Sequence, residues 1–338
     1  NDEDDNDNES IKQVSKRIYI VGENKFPLNY NKYGELPISI VKLLKLDNNC
    51  KEPGTNLLKY NKFCLLRYGV ENNINQSFIS ILCDVYCKLN NIKSISLKNF
   101  KDILLNSIDI DYFIKCNNGN LTNIFNDTDV NDIKKTNIDK YITCEYYKII
   151  DNQNELQLFT FKKIVNSYEN FINYINNDNI YIDYTYLWDF ICIPNKNFFI
   201  DGLNLIIIDY TSQDITESIK FICPKNNYSS NYYDDKKKNL IILKNNNIFE
   251  PIYAIKDRLG VIEHIITFDL LYKKGDFLLN NMKDMIGYIK QHIEENCKGK
   301  YDNTNYHFVK NKNLIYIIRF VENVLKEKII YQIITLFS

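Results

Sequence analysis

One alanine (Ala254), four arginines, ten glycines and six prolines are all that 338 residues contain of these types. With glycine so scarce, neither GxxxxGK[S/T] nor GxGxxG occurs, which excludes a nucleotide-hydrolysing site of the motif-defined kinds. Histidine is equally sparse. The three residues, at 264, 292 and 307, stand in no recognisable Ser/His or Cys/His setting for nucleophilic catalysis. No apolar run approaches the roughly 20 residues of a membrane-spanning helix, so no membrane partner is expected.

What replaces the missing types is a strong bias. Asparagine occurs 50 times, isoleucine 52, lysine 38, tyrosine 26 and phenylalanine 19. These residues have A/T-rich codons, so the bias reports an AT-rich genome, and lysine-richness alone says little about function. A chain that is 45% hydrophobic can bury sizeable cores and is not disordered throughout. The chain starts at Asn1, which reads as a piece of a longer protein. Residues 1–10 (NDEDDNDNES) carry acidic groups and no base, so 1–16 is expected to be an acidic, disordered tail or linker, leaving a mildly basic remainder. The nine cysteines are odd in number, and several fall in apolar runs, so they read as reduced intracellular thiols. Cys83 and Cys87 stand one helical turn apart with Cys50 and Cys64 upstream, but tight CxxC knuckles are missing and packed thiols are preferred to zinc.

Periodicity divides the chain near residue 178. Asn75–Leu89 (NQSFISILCDVYCKL) places Phe78, Ile81, Leu82, Val85 and Tyr86 on one helical face, with Asn75 as expected N-cap. Helices are also expected at 36–46, 96–107, 109–115, 155–176 and 277–293, and a loop over 117–140. Strand-like runs cover 203–209, 219–223, 240–244, 248–255 and 261–268, with the three Asn of 245–247 as a hairpin turn. Glu250-Pro251 suggests a bulge or a sheet edge. Short strands are expected at 17–21 and 329–337, and 314–325 as helical or mixed. The expectation is an α+β chain: a mainly helical domain over 17–178, then a sheet-containing domain over 179–338 with a mostly antiparallel or mixed sheet and flanking helices.

Two constellations could carry chemistry. Asp189, Asp201, Asp209 and Glu250 among helix and strands resemble the layout of a metal-dependent nuclease, with Lys244 ending a strand. Ile242 stands where such a site requires an acid, so a nuclease-like fold, if present, is expected to be inactive. The second constellation is the loop that ends in Lys236, Lys237 and Lys238, preceded by Asn226, Tyr228 and Tyr232. It combines groups able to hold phosphates with groups able to stack on bases. Arg67 is a rare arginine in a lysine-dominated chain, suited equally to an internal ion pair and to a phosphate contact.

Four stretches carry a resemblance. They are YIVGENKFPLNYNKYGELPISIVKLL (19–44), CLLRYGVENNINQSFISILCDVY (64–86), IDYTYLWDFICIPNKNFFIDGLNLIIID (182–209) and SIKFICPKNNYSSNYYDDKKKNLIILKNNNIFEPIYAIKD (218–257). In wording and order they resemble the C-terminal part of the large subunit of the early transcription factor of nucleocytoplasmic large DNA viruses, the poxvirus-like factor in its giant-virus form. The resemblance implies a non-enzymatic, cofactor-free activator that binds double-stranded early-promoter DNA. It also implies an ATPase small subunit and the viral RNA polymerase as partners, and a place in the virion and the host cytoplasm. Where relatives tend to carry Gly-Arg before an aromatic-Gly, this chain has Asn31-Lys32-Tyr33-Gly34, which keeps the charge without a bidentate fork. The resemblance assigns no contacts to this stretch; from the reading of the basic residues above, the expected DNA-contacting residues are Lys32, Arg67 and Lys236–Lys238 on phosphates, and Asn226, Tyr228 and Tyr232 in a groove. The alternative is a module that docks the ATPase subunit or the polymerase without touching DNA.

Overall fold

A computed structural model describes residues 17–46, 49–70, 73–210, 219–223, 233–258, 260–269 and 279–297. Eight strands are described: β1 (Ile20–Val21), β2 (Tyr33–Gly34), β3 (Cys64–Tyr68), β4 (Leu203–Asp209), β5 (Lys220–Phe221), β6 (Lys238–Asn245), β7 (Ile248–Arg258) and β8 (Val261–Ile265). The α-helices are α1 (Ile38–Leu43), α2 (Ser77–Leu89), α3 (Leu97–Asn106), α4 (Ile110–Lys115), α5 (Leu121–Ile124), α6 (Val130–Lys135), α7 (Glu145–Ile149), α8 (Glu155–Asn176), α9 (Tyr184–Cys192) and α10 (Leu279–Cys297). The fold is mixed α+β. Among these helices none is long and apolar enough to cross a membrane.

The strands form one mixed sheet in the order β1-β2-β3-β7-β6-β4-β5, with β8 also on β7. Only β1–β2 and β4–β6 run parallel. Leu203-Asn-Leu-Ile-Ile-Ile lacks polar alternation because β4 is buried on both faces, as parallel strands usually are. Leu205 and Ile207 of β4, Leu240 and Ile242 of β6, and Tyr253 and Ile255 of β7 enter the core shared with α2, α3, α4, α8 and α9. Ile206 and Ile208, Ile241 and Leu243, and Ile252 and Ala254 enter a second core. That core is closed by Ile40 of α1 and by Met285, Ile286, Ile289 and Ile293 of α10.

The expected division at 178/179 does not separate two cores. β3, from the first half of the chain, pairs with β7 from the second, Cys64 to Ile255 through Arg67 to Ile252. The helices of 77–192 pack on one face of that shared sheet, and all described residues fall in one compact unit.

Local chemistry accounts for most element boundaries. Ser96, Asp109 and Asn154 cap α3, α4 and α8 by accepting backbone N–H groups at their first turns. Asn75 does not cap α2. A 3-10 turn over Ile74–Gln76 precedes that helix, and Asn73 accepts the N–H of Asn75 at 3.0 Å, so the cap sits two residues earlier than expected. The 117–140 stretch is not all loop, since α5 and α6 lie within it. Pro251 marks neither edge nor bulge: it pairs with Ile242 inside β7. Its missing N–H falls one residue beyond the last β3–β7 pair, Arg67 with Ile252, where the ladder on that side has stopped.

Four cysteines are not free thiols. Disulfides join Cys50 to Cys64 and Cys223 to Cys297, which also disposes of a four-cysteine metal set with Cys83 and Cys87. The latter pair lies on the buried face of α2. The elements expected at 314–325 and 329–337, and the tail 1–16, lie outside the described residues.

Candidate nucleic-acid interface

Arg67 is wholly internal, and its expected phosphate contact is overturned. It points from β3 into the second face of the sheet with no exposure, and each of its five N–H donors has an acceptor. Nη1 lies 2.6 Å from Glu250 Oε2 and 3.1 Å from the Lys25 carbonyl. Nη2 reaches the carbonyls of Gly22 (3.2 Å) and Glu23 (3.1 Å), and Nε reaches that of Glu35 (2.6 Å). The guanidinium stands 3.9 Å over the Phe26 ring, and Glu250 Oε1 accepts the N–H of Leu28 at 2.6 Å. Burial pushes the Glu250 carboxyl up from its ordinary value, opposed by Arg67 and by the Leu28 N–H. One ion pair thus fixes the segment between β1 and α1, which includes the cis peptide Phe26-Pro27.

Lys32 is exposed at the end of that segment. Its carbonyl accepts the N–H of Gly69 at 2.9 Å, and the Gly69 carbonyl accepts the N–H of Asn31 at 2.8 Å. Glycine is required at 69 by close approach, because a Cβ there would stand 2.1 Å from the Asn29 oxygen. Asn31 adopts a positive φ of 59°, and its side chain accepts the Tyr68 hydroxyl.

The second basic element is the turn that enters β6. Asn204 and Asn239, paired in register on β4 and β6, are buried side-chain amides that hold it. Asn204 accepts the N–H of Asp234 at 3.0 Å and donates to the Asp234 carbonyl (2.8 Å) and to Asn239 Oδ1 (3.1 Å). Asn239 in turn donates through Nδ2 to the Phe268 carbonyl at 2.8 Å. Lys237 is not available as a phosphate ligand, since its Nζ donates to the Cys192 carbonyl at 2.8 Å. Lys236 and Lys238 are exposed. Asp235 is bound by Lys290 of α10 at 2.7 Å. Asn226, Tyr228 and Tyr232 lie outside the described residues.

These positions do not form one surface. Tyr33 pairs with Tyr68, Arg67 with Ile252, and Ile242 with Pro251, so Lys32 lies level with the C-terminal half of β6, whereas Lys238 opens β6 at its other end. The nuclease-like acids are also dispersed. Asp209 and Lys244 pair at 3.2 Å on the face of Ile207 and Ile242, while Glu250 points to the opposite face and is held by Arg67. Asp189 is buried and accepts the Asn117 N–H at 2.6 Å, and Asp201 is exposed. Among the described residues no group of three or more His, Cys, Asp or Glu is placed to hold a metal ion.

Sequence reasoning missed the two buried amides, and it overlooked Lys25, Asn29 and Tyr30 beside Lys32. The signal for the latter was present in Lys25-Phe-Pro-Leu-Asn-Tyr-Asn-Lys32, where an aromatic and amides stand between two lysines. Comparison of the chain with family models, curated proteins and solved structures finds no match.

Proposed function

We propose that this chain is part of a viral early transcription initiation factor that binds promoter DNA and helps recruit the viral RNA polymerase, together with an ATPase small subunit. The observation that carries the reading is where the four resembling stretches fall. Residues 19–44, 64–86, 182–209 and 218–257 supply β1 through β7, together with α1, α2 and α9 packed against the sheet. The four stretches thus supply most of the sheet.

In this reading Lys236 and Lys238 place phosphates from a turn that Asn204 holds rigid. Such contacts position a duplex without reading its sequence. Titrating the chain onto an early-promoter duplex at several salt concentrations tests the assignment. Lys236→Gln/Lys238→Gln should weaken binding and make the slope of log K against log salt shallower by about two. An unaltered slope would remove the turn from the interface.

One observation favours a second reading, a docking module without DNA contact: Arg67 is internal and the half-buried Lys237 is engaged by the Cys192 carbonyl, which thins the expected basic surface. Retention of the ATPase subunit or polymerase, with no binding to any duplex, would select it.

A further inference from the structure

The segment between β1 and α1 has an over-determined backbone and unoccupied side chains. Arg67 holds the carbonyls of Gly22, Glu23, Lys25 and Glu35, Glu250 holds the Leu28 N–H, and Gly69 holds Asn31 and Lys32. By contrast, the side chains of Lys25, Asn29, Tyr30 and Lys32 make no hydrogen bond or ion pair with any described residue, and all four are exposed, Tyr30 at 56%. A buried ion pair is costly to desolvate and returns little net stability; what this one supplies is a single fixed conformation. Here the conformation it fixes presents two cations, an amide and an aromatic ring to solvent. The acids nearest in sequence are engaged elsewhere: Glu23 accepts the Ile38 N–H at 2.7 Å, and Glu35 pairs with Lys51 at 2.8 Å.

We propose that residues 25–32 are a preformed nucleic-acid contact, in which Lys25 and Lys32 bind phosphates, Tyr30 packs its ring on a sugar or base, and Asn29 donates to the same strand. The proposal rests on the DNA-binding reading and deepens it, moving a principal contact from the β6 turn to the opposite end of the sheet. Two of the three lysines of the turn remain free there, directly after Asp234 and Asp235, whereas no acidic residue stands between Lys25 and Lys32 in the sequence. Rigid presentation lowers the ordering cost of binding. The lysine and tyrosine terms differ in kind, one being screened by salt and the other not.

The experiment uses the complete chain and a fluorescent early-promoter duplex over a range of salt concentrations. Lys25→Gln/Lys32→Gln should weaken binding and make the salt slope shallower by roughly two. Tyr30→Ala should weaken binding severalfold at every salt concentration and leave the slope as it is. All three side chains are exposed, so thermal melts should match the unaltered chain and exclude misfolding as the cause. If the unaltered chain binds the duplex while the lysine variant keeps its affinity and slope, this contact is overturned and the DNA reading stands. If the unaltered chain binds no duplex, both fall. If Tyr30→Ala alone has no effect, the ring makes no contact and the stacking part of the proposal is overturned.

Discussion

The Tyr33 hydroxyl lies 2.9 Å from His264 Nε2, although β3 and β7 separate their strands in the sheet. That contact requires the sheet to curl until β2 and β8 face one another. Rings fill the concavity: Tyr33 stands 5.3 Å from Tyr68, and Tyr68 stands 5.5 Å from Tyr253 and 6.2 Å from His264. Helix α2 closes it with Asp84, which accepts the Tyr253 hydroxyl at 2.6 Å and pairs with Lys88. The pairing of β2 with β3 brings Tyr68 against Asn31, so this aromatic cluster adjoins the 25–32 segment.

His264 makes the curl sensitive to acid. Burial, and then the charge of Lys88, pulls the imidazole down from 6.5 to about 4, against the weaker pull of Asp84. The unfolded chain therefore takes up a proton at this residue before the folded chain does. Stability present above pH 6.5 is lost progressively as pH falls to about 4, by up to about 3 kcal/mol from this one group. Urea melts at pH 7, 5.5 and 4.5 should show the loss, and His264→Gln should flatten it over that interval. An equal loss in both proteins would place the acid sensitivity elsewhere.

Arg67 and Glu250 should behave as a unit. Arg67→Met leaves a buried carboxylate without its cation and four carbonyls without a donor, so it should cost about 3–5 kcal/mol of stability. Lys32→Gln, at an exposed site a few residues from the same network, should change stability by less than about 0.5 kcal/mol. Denaturant midpoints of the two variants separate the internal cation from the surface one. A mild Arg67→Met variant would mean that the 22–36 segment is held by other contacts.

How much of this was legible in the sequence follows from the range of each interaction. The helices at 77–89, 97–106 and 155–176 are set by local periodicity, the last two with caps one residue away in Ser96 and Asn154, and the strands from 203 onward show as short apolar runs between turn signals, so they can be read directly. β3 is different. Cys64-Leu-Leu-Arg-Tyr shows no alternation, as β4 shows none, but an arginine interrupts its short apolar run and its partner in β7 is far along the chain. The Arg67–Glu250 pair spans 183 residues, and the curl joins Tyr33 to a histidine 231 residues away. No periodicity marks such pairs. Composition misled in a second way: with 50 asparagines, codon bias hides the two that hold the β4–β6 register, Asn204 and Asn239. Among the basic residues, exposure could not be read at all, and Lys236, Lys237 and Lys238 look identical in sequence.

The structure separates those three lysines, and the separation can be measured. Lys237 Nζ caps the Cys192 carbonyl at the end of α9, so Lys237→Met removes a charge-assisted bond from a half-buried site and should cost about 1–2 kcal/mol. Lys236→Gln and Lys238→Gln should leave stability within about 0.5 kcal/mol. Asn204→Ala is the stronger perturbation, because it strands the Asp234 N–H, takes the Asn204 donor from the Asn239 amide oxygen, and leaves the Asp234 carbonyl with the Lys237 N–H alone. It should cost about 2–4 kcal/mol, since stranded buried polar groups cost about 1–3 kcal/mol each and a turn at the surface recovers part of that through water. Hydrogen exchange at Asp234 and Lys237 should then accelerate in Asn204→Ala and remain slow in Lys236→Gln. Equal exchange in the two variants would mean that the turn is held by β6 pairing and owes nothing to the amides, and the rigid presentation of Lys236 and Lys238 would lose its cause.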